Sequence, residues 1–340
     1  MMRFDGRLKF ITALILAGAF GPDARAQEQF RGKTVQIVVG FSTGGTYDQQ
    51  ARIFARHLGH YLPGNPNVVV QNMPGAGSII ATTYLYNLAP KDGTVIAIVG
   101  GSVVPEPLLG NPQARYDARR FNWIGGRTTD NFLCLIDSST GVRNIDDLRK
   151  RETVVGATGP GSRTQNYPRA MNMLFGTKFK VVSGYPGGTE ISVALERREV
   201  EGYCGWSWDS LQSRAPTLLP EGKVVAVAQF LIGQANALPG IPIASDLATS
   251  DTDRRAIEFI SADSILAWPF VAPPGMDPLV VAAHRHAFDS VTKDEKFLAD
   301  AKKMSLDIAP VSGEALQNFV NQLYDASPDV IALVSKITQN

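Results

Sequence analysis

A repeated pattern of short apolar strand, glycine-rich turn and amphipathic helix constrains the fold of this chain most strongly. The apolar run at residues 35–41 is followed by a turn with two glycines and by a helix predicted over 48–62. The runs 68–70 and 94–99 predict two more strands, and a glycine-rich turn follows each of them. Strands that alternate with helices in this way predict helices packed on a parallel sheet, an α/β fold.

A second series of the same kind begins at residue 153. Strands are predicted at 153–156, 179–182 and 200–205, with helices that end near 175 and run over 188–197. Since no Gly/Ser-rich or Pro-rich linker separates the two series, the chain is expected to cross between two units on short, ordered connections, at 125–132 and 261–268. The C-terminal part is predicted to be helical over 277–290, 294–303, 313–324 and 327–336, and to pack on the first unit.

The N-terminus has the features of a cleaved secretory signal. Basic residues precede the apolar stretch 10–20, and Ala24-Arg25-Ala26 supplies an A-x-A cleavage site before Gln27. The stretch is shorter than the roughly 20 apolar residues of a membrane helix. A lipid anchor is not expected either, because no cysteine lies near the cleavage site. The sequence therefore predicts a signal peptide at 1–26 and a mature protein in the periplasm.

Charge and cysteine content limit the partners. Removal of residues 1–26 takes away four basic and two acidic side chains, so the formal charge falls from +1 to −1. Because the sequence has no basic stripe, we expect neither nucleic acid nor an anionic membrane surface as a partner. The expected partner is a small molecule. Cys134 and Cys204 would either form a disulfide in an oxidising compartment or remain two buried thiols.

Glycine-rich turns between strand and helix are the candidate binding elements. In α/β sheets such turns gather at the carboxyl ends of the strands, where free backbone N–H groups and the positive end of the next helix bind anions. A turn of this kind also serves simply as a helix cap, so one alone proves little. Five occur here, at 42–48, 74–78, 100–102, 158–162 and 185–189.

Enzyme motifs are incomplete in this sequence. The histidines at 57, 60, 284 and 286 are interpreted as solvated helix residues, because they form no H-E-x-x-H motif and have no cysteine to complete a zinc site. The segment 205–209 lacks the last glycine of a nucleophile elbow, and 156–162 lacks the lysine of a phosphate loop. We therefore expect a binding protein that is not an enzyme and uses no cofactor and no metal.

The same turns lie in longer motifs. In the N-terminal third these are FSTGGTYD at 41–48, PGNP at 63–66 with VVVQNMPGAGS at 68–78, and APKDGT at 89–94; Tyr185-x-Gly187-Gly188, LPGIP at 238–242 and APPGMDP at 272–278 follow. Together they resemble the Bug family, the extracytoplasmic receptors of tripartite tricarboxylate transporters. The resemblance implies a two-domain type II periplasmic binding protein, a clamshell with short crossover strands. Its domains would be 27–128 plus 264–340, and 129–263.

The resemblance also implies where a ligand binds. One carboxylate would be held by the first turn and its neighbour, with Gly45 and Ala76 acting through backbone amides and Asp48 fixing the turn. A distal group would be bound by the second unit. With Ser102 and Asp209 added, the predicted ligand-binding residues are Thr43, Gly45, Tyr47, Asp48, Ala76, Ser78, Ser102, Thr158, Gly161, Ser162, Tyr185 and Asp209.

The aromatic segment 203–209 departs from the family pattern. Trp206 and Trp208, at alternate positions, would either line the cleft beside a ligand with an aromatic part or form one buried face of a strand. The prediction is a monomer that captures a small organic carboxylate, such as a dicarboxylate, tricarboxylate or aromatic acid, and delivers it to transporter membrane subunits. The alternatives are a binding protein of another transporter type and a periplasmic sensor for a two-component system.

Overall fold

Two α/β units, each with its own sheet, make up the structure. A computed structural model describes residues 29–127, 130–234, 237–304, 306 and 308–339. The strands are β1 Thr34–Val39, β2 Asn67–Asn72, β3 Val95–Ile98, β4 Asn122–Arg127, β5 Phe132–Asp137, β6 Thr153–Ala157, β7 Phe179–Ser183, β8 Gly202–Ser207, β9 Val224–Phe230, β10 Ala267–Ala272 and β11 Pro310–Ser312. The predicted signal peptide, 1–26, lies outside the described residues.

Each helix predicted from the sequence occurs in the structure to within a few residues, and three further helices, at 145–150, 208–214 and 251–260, were not predicted. The helices are α1 Thr46–Leu58, α2 Ile79–Asn87, α3 Ile145–Lys150, α4 Arg163–Phe175, α5 Gly188–Glu196, α6 Trp208–Arg214, α7 Asp251–Ile260, α8 Pro278–Val291, α9 Glu295–Lys303, α10 Gly313–Tyr324 and α11 Pro328–Gln339. Trp208 begins α6 and does not continue the strand with Trp206, so the interpretation of the two tryptophans as one strand face was wrong.

The sheets are mixed. The first has the order β11-β4-β10-β3-β1-β2, and the second has the order β7-β6-β8-β5-β9. The predicted parallel pairing holds for β2-β1-β3 and for β7-β6-β8. The remaining pairs, which involve β4, β5, β9, β10 and β11, are antiparallel. Strands β5 and β10 enter their sheets from the other unit, and not through a helix that crosses the same sheet, so they need not run parallel to their neighbours.

The chain crosses between the units twice near the middle of the molecule. The first crossing joins Arg127 at the end of β4 to Phe132 at the start of β5, and the second follows a short helical turn at Ser261–Ser264 into β10. Both lie within the segments predicted for them. The crossings place β4, β5 and β10 beside the space between the units.

The last helix corrects one expectation. Helices α8, α9 and α10 pack on the first unit, as predicted, but α11 packs on α4 and α7 of the second. Arg169 donates to the Thr338 carbonyl at 2.5 Å, and Arg255 pairs with Asp329 at 3.4 Å. Helix α7 has an apolar stripe that includes Ile257, and α11 covers it because both helices bury their apolar residues in the same cluster.

A disulfide joins the two central strands of the second sheet. Cys134 on β5 and Cys204 on β8 lie directly opposite each other in the antiparallel pair and are bonded. Both residues are completely buried. The structure therefore decides between the two alternatives that the sequence left open.

Two histidines differ from the prediction of solvated side chains. His284 on α8 is completely buried, and its Nε2 lies 2.9 Å from the Gly93 carbonyl oxygen. Burial lowers the pKa of His284 to about 4, so its ring is neutral at ordinary pH. His57 is mostly covered and lies 3.3 Å from Asp300. The prediction holds for His60 and His286, which are exposed.

Candidate functional site

A cavity of about 70 Å³ lies between the two units. The first unit lines it with Phe41, Ser42, Gly45, Thr46, Tyr47, Ser102 and Trp268. The second unit lines it with Thr158, Ser162, Arg163, Thr164, Gly188, Tyr203, Gly205, Trp206, Ser207, Ser210 and Arg214. Among these lining residues, two arginines and no Asp, Glu, Lys or His occur. The charge of the lining therefore suits an anion.

Three helices begin at this cavity without a side-chain cap. The first residues of α1, α4 and α5 belong to the lining, and no side chain accepts a hydrogen bond from their N-terminal N–H groups. By contrast, α3, α6, α7, α8, α9 and α10 each have an Asn, Ser or Asp cap. Free N–H groups and the positive dipole end attract an anion. The cavity thus collects helix ends that an anion could cap.

Asp48 holds the turn in front of α1 in place. Its carboxylate accepts hydrogen bonds from the Gly44 N–H at 2.8 Å, from Arg52 at 2.8 Å and from the Asn72 amide at 2.9 Å. Burial by itself would raise the pKa of Asp48, and these hydrogen bonds lower it below its usual value. The turn that brings Gly45 and Thr46 to the cavity is therefore fixed by an ionised carboxylate outside the lining.

Arg163, in the first turn of α4, is the most constrained side chain of the site. Its Nε lies 2.9 Å from the Asp263 carboxylate, and its guanidinium carbon lies 3.6 Å from the centre of the Phe132 ring. A terminal nitrogen donates to the Tyr47 hydroxyl at 2.5 Å. Gly205 leaves room for the stem, since a Cβ there would lie 2.7 Å from Cγ of Arg163.

The charge of Arg163 is balanced but not removed. Burial disfavours the charged form, whereas Tyr47 and Asp263 raise the pKa of Arg163 above its ordinary value. Asp263 in turn accepts from the Tyr167 hydroxyl at 2.5 Å. A buried charge without such a partner would cost several kcal/mol, about 3–5 by comparison with broken buried pairs. Arg163 is therefore a fixed, paired cation at the wall of the cavity.

Aromatic rings form the rest of the walls. Tyr203 and Trp206 stack with centroids 4.9 Å apart, and Phe41 and Tyr47 pack with centroids 4.4 Å apart. Trp268, at the start of β10, adopts a left-handed backbone conformation with φ of 45°, which is rare for a bulky residue. Strain of this kind collects at binding sites. Here the Trp268 side chain adds an aromatic wall next to the crossing, beside the Tyr203–Trp206 and Phe41–Tyr47 pairs.

The two units touch each other around the cavity. Ser42 of the first unit donates to Glu190 at 2.8 Å, and its N–H donates to the Pro186 carbonyl at 3.3 Å. The hydrogen bond from Arg163 to Tyr47 also joins the units. The cavity is small because these contacts close the units over it.

Comparisons with known proteins agree with this architecture. No protein-family model matches the chain. A protein of Cupriavidus necator, named UPF0065 protein in gbd 5′ region, is 23% identical over 297 residues, which cover 84% of this chain and 83% of that protein. The periplasmic binding protein BugD has a TM-score of 0.70 at 21% identity, over 89% of this chain and 97% of BugD.

The chain has the fold of a Bug-type periplasmic binding protein. An R. palustris protein solved with adipate has the same fold, with a TM-score of 0.68 and 18% identity over 89% of this chain and 97% of that protein. The resemblance to the Bug family and the α/β clamshell fold, both predicted from the sequence, are confirmed. BugD is described as a periplasmic binding protein.

The Bug-type fold brings five predicted site residues to the cavity. They are Gly45, Tyr47, Ser102, Thr158 and Ser162. The first three come from the turns after β1 and β3, and the last two from the turn between β6 and α4. Gly45 has an ordinary φ of −75°, and a Cβ there would lie 3.7 Å from Thr189 of the other unit, so the site has room for a small side chain only.

Seven predicted site residues lie outside the lining. Thr43 is exposed and bonds to Asn72 at 3.3 Å, while Asp48 fixes its turn. Ser78 is completely buried and accepts from the Gly100 N–H at 3.2 Å. Asp209 forms an ion pair with Arg127. The full set outside the lining is Thr43, Asp48, Ala76, Ser78, Gly161, Tyr185 and Asp209.

The turn at 76–78 packs against the other unit. A Cβ on Gly77 would lie 2.8 Å from Cβ of Ser162, and one on Gly159 would lie 3.4 Å from Cα of Ala76. Gly161 is equally crowded, since a Cβ there would lie 2.9 Å from Glu106. These glycines allow two backbones to approach closely. The role of Ala76 and Gly161 as ligand contacts stays a prediction.

Sequence reasoning did not identify the two cavity arginines. Arg163 carried a signal that could have been used: it stands in the first turn of a helix, where the dipole disfavours a cation. Such a placement indicates that another requirement overrides local preference. Arg214 carried no comparable signal, because a basic residue at the end of a helix is ordinary. Tyr203 and Trp268 also required the tertiary structure.

The structure offers no metal centre within the residues that it describes. Across that part of the chain, no three His, Cys, Asp or Glu side chains gather closely enough to hold a metal ion. The described helices also include none that is long and apolar enough to span a membrane.

Proposed function

We propose that this protein is a periplasmic solute-binding receptor that captures a small organic carboxylate between its two units. The observation that carries the proposal is the convergence of three uncapped helix N-termini on one cavity whose charged lining residues are arginines. Each such terminus carries roughly half a positive charge. A carboxylate would satisfy N–H donors that, in six other helices of the molecule, are satisfied by Asn, Ser or Asp side chains.

The proposed binding cycle uses the two units, with α11 on the second, as a clamshell. In it, an open cleft admits the ligand to the turn around Gly45, and closure brings Arg163 against Tyr47 and Ser42 against Glu190. Hinge bending would occur at the two crossings. Because these contacts join the domains only in the closed form, a ligand that binds both walls would stabilise closure.

The proposed partners and location follow from the family resemblance and the signal sequence. The closed receptor would deliver its ligand to the membrane subunits of a tripartite tricarboxylate transporter, as a monomer. Export can be tested by N-terminal sequencing of the protein from a periplasmic extract. The expected first residue is Gln27, and a chain that retains residues 1–26 would contradict cleavage.

Binding can be tested by thermal unfolding of the mature protein, shown to be ligand-free, against a panel of carboxylates. The panel contains dicarboxylic, tricarboxylic, aromatic and amino acids, each paired with its neutral amide. A ligand at about 100 times its dissociation constant stabilises the folded state by about 2.7 kcal/mol. We expect stabilisation by one class of carboxylate and none by its amide. Equal responses to acid and amide, or none to any acid, would refute the proposed carboxylate site.

A further inference from the structure

Arg214 differs from the other arginines of the second unit. Every other arginine between residues 130 and 263 makes an ion pair or a hydrogen bond, either to a carboxylate or to a backbone carbonyl. Among the described residues, Arg214 makes neither. It is partly exposed, ends helix α6 and lines the cavity. Arg214 is thus a lining residue of the cavity without a counter-ion among the described residues; it also borders a second, surface cavity lined in part by Asp137 and Glu196.

Tyr203 places Arg214 near the same end of the cavity as helix α5. The Tyr203 hydroxyl lies against the start of α5, since a Cβ on Gly188 would be 2.4 Å from it. Burial raises the pKa of Tyr203 to about 12, and the positive charges of Arg163 and Arg214 oppose this rise. Arg163, Arg214 and Tyr203 all line this one cavity.

The two arginines of the lining differ in whether they already have a counter-ion. Arg163 is already paired with Asp263 at 2.9 Å, whereas Arg214 has no counter-ion among the described residues. The uncapped helix ends attract one negative group. A second negative group on the ligand would supply the counter-ion that Arg214 lacks.

The lining also disfavours a positive group. Neither an Asp nor a Glu side chain is among the cavity-lining residues described, and the Glu190 carboxylate next to the lining already accepts a hydrogen bond from Ser42. An ammonium group would therefore have two arginines near it and no lining carboxylate to pair with. Between the charged ends, the walls are the rings of Phe41, Tyr47, Tyr203, Trp206 and Trp268. Such walls favour an apolar or flat ligand body.

We infer that Arg214 is the specificity-determining residue of this cavity and selects ligands with a second carboxylate and no amino group. The inference rests on the proposed function and names the ligand class of that same site. It predicts that the preference for a dicarboxylate over the matching monocarboxylate resides in one side chain. The first carboxylate would bind independently of that side chain.

The test compares ligands that differ by one group. Calorimetric titration of the mature protein would use adipate with hexanoate, benzene-1,4-dicarboxylate with benzoate, and glutarate with glutamate. The variants are Arg214→Gln, Arg214→Lys and the control Arg197→Gln, whose side chain is 70% exposed and outside the cavity. Thermal unfolding of each variant without ligand checks that it folds.

For at least one pair, wild type should bind the dicarboxylate at least tenfold more tightly than the monocarboxylate, and glutarate more tightly than glutamate. Arg214→Gln should abolish the dicarboxylate preference and leave monocarboxylate affinity within about twofold, while Arg214→Lys keeps part of the preference. Arg197→Gln should match wild type. Equal weakening of both members of a pair, or an unchanged preference in Arg214→Gln, would overturn the inference. If wild type binds no carboxylate at all, the proposed function fails together with it.

Discussion

The two walls of the cavity are built from similar strand-turn-helix repeats, yet they differ in charge. The wall from the first unit consists of a turn, backbone groups, hydroxyls and aromatic rings, and none of its described lining residues is charged. The wall from the second unit contains Arg163 and Arg214. In the proposed function, the first wall would hold any carboxylate through N–H groups, whereas the second would distinguish one carboxylate from another.

The two units also differ in the ionisable groups that they bury behind these walls. The first unit buries His284 as a neutral ring, while the second buries Arg163 as a charged group with Asp263 as its partner. Burial of a neutral ring costs little free energy, but it makes the free energy of unfolding depend on pH. Charged burial requires a matched partner at a fixed distance, which also fixes the position of the cation.

The largest expected effect tests the pairing behind the second wall. Asp263→Asn keeps the shape of the side chain and leaves Arg163 without its counter-ion, so the free energy of unfolding should fall by about 3–5 kcal/mol in urea unfolding. Asp246→Asn removes an exposed pair with Arg254 and should cost roughly 0.2–1 kcal/mol. Equal losses in the two variants would show that the Arg163 charge is not a built feature of this wall.

The next effect concerns the neutral group behind the first wall. In the unfolded chain a histidine has a pKa of about 6.5, whereas folded His284 stays neutral down to about pH 4. The unfolded state therefore binds more protons between these values, and the free energy of unfolding should fall as pH is lowered through this window. The contribution is about 3 kcal/mol, at roughly 1.4 kcal/mol for each pH unit.

The measurement for His284 is urea unfolding at several pH values between 7 and 4. His284→Gln keeps a donor for the Gly93 carbonyl and should lose the part of the pH dependence that His284 causes. His60→Gln, at an exposed position, should behave as wild type. A pH profile for His284→Gln that matches wild type would contradict the burial of a neutral ring.

A glycine tests the first wall directly. Gly45→Val would fill the opening at the turn, so affinity should fall at least a hundredfold, or about 2.8 kcal/mol, with unchanged unfolding in the absence of ligand. Gly45→Ala is the matched control, since its Cβ would make contacts of 3.7 Å and 3.8 Å, which are ordinary. Wild-type affinity in Gly45→Val would remove this turn from the site.

The smallest effect is expected at Ser162, on the second wall. Its hydroxyl donates to the Gly159 carbonyl at 2.7 Å and lies 2.9 Å from that of Thr164. Ser162→Ala should change affinity by about 1 kcal/mol and unequally among carboxylates, because this wall is expected to contact the distal group. Titration with several acids would measure this; uniform weakening would contradict a distal role.

Much of the fold could be predicted from the sequence. Periodicity and turn residues predicted β1, α4 and α5 within a few residues, because local backbone preferences and one buried face decide such elements. Of the site, Gly45 and Ser162 were predicted because a glycine-rich turn before a helix is a local pattern. The turn at 76–78 has the same pattern and packs against the other unit, which no local signal distinguishes.

By itself, the sequence determined the class of fold and the positions of the glycine-rich turns, and it predicts a signal peptide that lies outside the described residues. All three depend on spacing within a few residues. Only the tertiary structure decided that Cys134 and Cys204 are bonded, that α11 covers the second unit, and that Arg163 and Arg214 line one cavity. These facts depend on the approach of segments far apart in the chain. The sequence gives the identity of the residues, but only tertiary packing brings the two arginines to one cavity.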